Sequence, residues 1–141
     1  MLAEIRDRCN TIEECYEFML AYAAQGLPSD EGSKSGRQIR EFLNRAVKAI
    51  AGLAENCAAA VKQERWKPAE RYYTFFKVLG RDAKDSLASL ELVLAQPAIS
   101  SQLVDNLNAS IHLRALLTDL FLVSEIVETH RVPRSQATSS S

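Results

Sequence analysis

The sequence predicts an all-α fold, an antiparallel up-down-up-down bundle of four helices. Three observations predict it. Apolar residues recur at three- and four-residue spacing along most of the chain, the signature of one buried helix face. No stretch alternates apolar and polar residues as a strand would. Only 5 Gly and 4 Pro are spread over 141 residues, which leaves room for long helices. The expected helices cover about 2–25, 35–64, 68–96 and 100–130, a single domain over 1–130, with a polar, Ser-rich tail over 131–141. That tail has the composition of a disordered end.

In segment 1, Leu2, Ile5, Cys9, Ile12, Tyr16, Met19, Leu20 and Ala23 fall on one stripe. The stripe stays in phase and so predicts one helix, although Thr11 and Glu14 have capping-box spacing and could restart it. Gly26 suits a left-handed helix end, and Pro28 blocks continuation. The linker Ser29–Gly36 reads as a solvated connection; its two glycines lack the order of a phosphate loop. In segment 2, Ile39, Phe42, Leu43, Ala46, Ile50, Leu53, Ala54, Cys57 and Val61 form a narrow seam, and Ala46, Ala54 and Ala58 would allow a neighbour to approach closely. Pro68 opens segment 3, where its missing N–H is harmless. There Tyr72, Phe76, Leu79, Ala83, Leu87, Leu90 and Leu94 share a face that carries Gly80 in its middle. Pro97 ends the segment, and Ser100 or Ser101 can cap the next. Segment 4 changes face. Leu103, Val104, Leu107 and Ile111 lie on one side, and Leu113, Leu116, Leu117, Leu120, Val123 and Val127 on nearly the other. Either the helix breaks near Asn108–Ser110 or its halves bury different sides.

A core of this size needs no metal or disulfide staple. The net charge of -1 gives no global attraction to nucleic acid or an anionic membrane. No apolar run reaches the roughly 20 residues of a membrane span, and the N-terminus lacks the pattern of a secretory signal. Three cysteines, Cys9, Cys15 and Cys57, without C-x-x-C spacing read as reduced thiols, which places the protein in the cytoplasm.

Several large apolar residues lie off the bundle stripes: Phe18 and Tyr22 in segment 1, Tyr73, Val78 and Leu92 in segment 3, Phe121, Leu122 and Ile126 in segment 4. Converging outer apolar residues mark an interaction surface, so the sequence predicts a homodimer. The interface candidates are Phe18, Tyr22, Tyr73, Phe121 and Leu122.

Chemistry is sparse. Neither His112 nor His130 has Glu three residues before it, which a di-iron bundle would need, and two histidines with scattered thiols give no zinc spacing. Around His112, Ala115 and Leu116 stand where a histidine phosphotransferase carries Lys and Gly. The carboxylate pairs Glu13–Glu14 and Asp82–Asp85 read as solvated helix faces. No cofactor is expected. The stretch Lys62–Lys84 mixes seven basic residues with Trp66, Tyr72 and Tyr73, a composition that could meet phosphates and bases, but Glu64, Glu70 and Asp82 interrupt it. The reading is a non-enzymatic helical protein that associates with itself and with another protein. Two alternatives stand beside it. One is a small-molecule binder or enzyme with a pocket using Arg71, Tyr72, His112 and Arg114; the other is a nucleic-acid binder through 62–84.

Overall fold

Two short interruptions, at Ala51–Gly52 and at Ser110, turn the four expected segments into six helices among the described residues. In the computed structural model these are α1 (Leu2–Ala24), α2 (Lys34–Ile50), α3 (Leu53–Glu64), α4 (Ala69–Leu94), α5 (Ser101–Ala109) and α6 (Ile111–Ser140). The structure describes the backbone to Ser140 and side chains to His130; the tail expected over 131–141 lies outside the fully described residues. Among the described residues there is no strand, and no helix is long and apolar enough to cross a membrane.

Segment 1 is one helix without a restart at Thr11. Its buried face is Ile5, Cys9, Ile12, Cys15, Met19 and Tyr22. The stripe steps from Ile12 by three residues to Cys15, where the expected stripe stepped by four to Tyr16. This corrects two placements. Tyr22 is fully buried rather than on the outer face, and Leu20, expected inside, is exposed. Gly26 takes the left-handed conformation expected of it, at φ +66°.

Segment 2 is not the single helix expected over 35–64. Gly52 has φ +82°, a region that costs most side chains strain, and the chain turns there. The carbonyls freed at the end of α2 are taken by Arg8 of α1, whose Nη1 donates to Lys48, Ala49 and Ala51 at 3.0, 3.1 and 2.7 Å. A guanidinium thus closes a helix C-terminus from another element. Glu14 pairs with Arg45, and Phe18 stacks on Phe42 at 4.2 Å. The start of α1 therefore meets the end of α2, and the two run antiparallel.

The break in segment 4 falls at one of the two alternatives left open. Ser110 leaves α5 in extended conformation, and its hydroxyl accepts from the Leu113 N–H to cap α6. Ile111 lands outside at 76% exposure, while Leu113, Leu116, Leu117, Leu120, Val123 and Val127 go into the core. The change of apolar face is this break. Helix α4 packs on α3, α2 and α6, and α1 on α2 and α5. Contacts from Ser86 to the His112 carbonyl and from Tyr72 to His130 fix α4 and α6 antiparallel.

The linker Ser29–Gly36 is more than a solvated connection. Asp30 accepts from the Ile99 N–H at 2.7 Å and from Arg40 Nε at 2.7 Å. Arg40 also donates to the carbonyls of Leu94, Gln96 and Pro97. Next to it, the Tyr22 hydroxyl donates to the Ile99 carbonyl at 2.6 Å. Ser101 in turn donates to the Tyr22 carbonyl and accepts from the Leu27 N–H. This polar latch ties the α1–α2 linker to the α4–α5 turn and satisfies backbone groups that would otherwise be buried unpaired.

All three cysteines are buried and free. Burial pushes each thiol up, Cys57 to about 12. The thiolate is the reactive form. A disulfide reagent such as Ellman's is therefore expected to modify none of them in the folded protein and all three in denaturant. Stoichiometric labelling under native conditions would contradict this placement.

Candidate functional site

An apolar hollow lies along the seam between α4 and α6. It encloses about 580 Å³ and is lined by Pro68, Arg71, Tyr72, Phe75, Phe76, Leu122 and Ile126. That volume lies within the range of ligand-binding clefts. One flank is the side of α4 that carries Arg71 and Phe75. The other is Leu122 and Ile126, which sit one turn apart on α6. Leu122 is 50% exposed although it lines the groove.

An aromatic cluster secures one end. Trp66 is buried and stacks on His130 with ring centroids 4.1 Å apart. The Tyr72 hydroxyl and His130 Nε2 are 3.1 Å apart and share a hydrogen bond. These contacts hold α6 against the α3–α4 turn, so the groove is built on rigid elements.

Beyond the other end lies a carboxyl pair. Asp119 is one turn before Leu122 on α6 and only 6% exposed. Burial, and then the hydrogen bond and charge of Asp82 on α4, push its carboxyl up to about 7. No protein N–H or hydroxyl reaches its Oδ2. A protonated Asp119 donating to the Asp82 carboxylate is the arrangement that leaves neither oxygen charged and unpaired. Asp82, expected with Asp85 on a solvated helix face, has Asp119 as its partner instead. In the sequence, Asp119 falls between Leu116, Leu120 and Val123 on the buried face of α6, which marks it as a buried acid.

The residues expected to form an interface are only partly gathered. Leu122 lines the groove. Phe121 is 63% exposed, but as the next residue it is turned by roughly 100° and lies on the other flank of α6. Tyr73 borders a separate hollow with Ala54, Ala58 and Gly80 on the α3–α4 seam. Phe18 is half-buried on Phe42, and Tyr22 is in the core. Of the polar pocket candidates, Arg71 and Tyr72 meet in the groove. His112 and Arg114 lie exposed at the opposite end of α6, so the four do not form one site. In the basic stretch 62–84, Trp66 is buried and Tyr72 is half-buried, which leaves Tyr73 as its exposed ring. Among the described residues no cluster of three or more His, Cys, Asp or Glu side chains is placed to hold a metal ion. Compared with known proteins, the chain matches no family model, no curated protein and no solved structure.

Proposed function

We propose that this protein acts by association rather than by catalysis, with a second copy of itself as its first partner and the α4–α6 groove as the contact surface. The observation that carries the reading is the groove itself. Phe75 and Ile126 line it half-buried and Leu122 stands 50% exposed in it. Burying such side chains against a partner is the main driving force of association. The buried free thiols support a reducing compartment, in keeping with a cytoplasmic protein.

Sedimentation equilibrium tests the reading. The expected result is a dimer at micromolar concentration, with Leu122→Glu weakening it at least tenfold and leaving the melting temperature nearly unchanged. A wild type that is still monomeric at ~100 μM would overturn the reading.

A second reading draws on Arg71 and Tyr72, which line the same groove. Together with the apolar walls they suit a small amphiphilic anion. A co-purified mass retained in native mass spectrometry and lost in Arg71→Ala would favour it.

A further inference from the structure

Arg71, Phe75, Val78 and Asp82 follow one another on α4 at spacings of four, three and four residues. Such spacing puts them in one stripe on one side of the helix. That side faces the seam with α6. Arg71 and Phe75 line the groove with Leu122 and Ile126, and Asp82 lies beside Asp119 of α6, near enough to push its carboxyl up.

The stripe reads cation, apolar, apolar, anion. Its spacing is the same in both directions, whereas its charge changes sign from one end to the other. Two copies laid antiparallel about a two-fold axis between Phe75 and Val78 are therefore complementary at every position. Arg71 faces the partner's Asp82, and Phe75 faces the partner's Val78. Two further observations favour this occupant. The Arg71 side chain makes no ion pair or hydrogen bond among the described residues, so its charge is available. Asp82 is half-buried beside an acid, Asp119, and gains from an incoming cation.

Resting on the association proposed above, we infer that the partner in the α4–α6 groove is a second copy of this chain, bound antiparallel along the α4 stripe and set in register by Arg71 against the partner's Asp82. Symmetry makes each contact occur twice, and charge sets the register while the apolar residues supply affinity.

A charge-reversal mixing experiment tests the register. Arg71→Glu alone places two acids together at both ends, and Asp82→Lys alone places two cations together. Each variant is expected to dimerise at least tenfold more weakly than wild type. Mixed in equal amounts, they form a heterodimer in which both charge pairs are opposite, one in the original and one in the reversed sense. The mixture should recover wild-type affinity to within about threefold. Damage to the fold of either variant cannot produce that recovery. Circular dichroism melts report folding, and if Asp82→Lys does not fold, recovery of Arg71→Glu association at 1 M salt serves instead, because screening removes the repulsion. Dimerisation of wild type with no weakening in either single variant, or with no recovery on mixing (or in salt), overturns this register and leaves self-association standing. A monomeric wild type overturns both.

Discussion

Replacing Gly36 by alanine is expected to destabilise the protein by about 3 kcal/mol, the upper end for forcing atoms into a packed site. A β-carbon at this position would overlap the backbone carbonyl of Asp30. Gly36 lies buried in the first turn of α2, where its N–H is held by the Ser33 hydroxyl at 2.9 Å. The helix cannot retreat without losing that cap, so the Asp30 segment must move. Asp30 is the centre of the latch, bonded to Ile99 and to Arg40. Arg40 in turn holds three carbonyls at the end of α4. One methyl group therefore disturbs the α1–α2 linker and the α4–α5 turn together. Thermal unfolding should show a fall of roughly 10 °C for a chain of this size. Gly80→Ala is the control. Its new β-carbon meets the Ala54 β-carbon at 3.6 Å, an ordinary contact, and a helix interior gains up to ~1 kcal/mol from the exchange. A Gly36→Ala protein as stable as wild type would mean that the linker gives way freely and that the latch contributes little.

The helices were legible because each buries one face, and a three- or four-residue rhythm records that directly. The breaks were harder to read. The stripe from Ile39 to Val61 keeps its phase through Gly52, since α2 and α3 both bury the same side of the chain's course. What ends α2 is the φ of one glycine and the reach of Arg8, forty residues or more away in sequence. Segment 4 was different. There the break rotates the apolar face, so Ile111 and Leu113 disagree in the pattern itself. Tyr22 was misplaced because the α1 stripe steps by three at Cys15, and a step of three or four is decided by the neighbour's shape. The latch of Tyr22, Asp30, Arg40 and Ser101 was invisible for the same reason, as every bond in it spans two elements. Of the groove, the sequence showed that Leu122 and Ile126 were surplus to the core. It could not show that they face Phe75 while Phe121 does not.

Asp119→Asn is expected to stabilise the protein above neutral pH and not in acid. The Asp119 carboxyl is pushed from 3.8 up to about 7, first by burial, then by its hydrogen bond to Asp82 and by the Asp82 charge. Well below pH 3.8 the acid is neutral both folded and unfolded, and the shift has no effect on stability. As pH rises from there, the unfolded chain gives up this proton and the folded chain keeps it. The unfolded state then binds fewer protons, and stability falls by about 1.4 kcal/mol per pH unit until the folded carboxyl also ionises near pH 7. The penalty at pH 8 amounts to roughly 4 kcal/mol. Asparagine fills the same volume and can donate its amide N–H to the Asp82 carboxylate without ever carrying charge. It should raise the melting temperature at pH 8 by about 10 °C and leave it nearly unchanged at pH 4. Asp30 acts in the opposite sense. Arg40 holds its carboxyl below the usual range, with the Ile99 N–H adding to this. Its contribution is present above the ordinary carboxylate pKa and lost as pH falls below it. The wild-type protein should thus be most stable in mildly acidic solution, with Asp30 setting the acid limb and Asp119 the neutral one. Removing Asp119 should flatten the neutral limb alone. A melting temperature that still falls between pH 5 and pH 8 in Asp119→Asn would assign that limb to another group, and the α4–α6 seam would then hold its two acids without the shared proton.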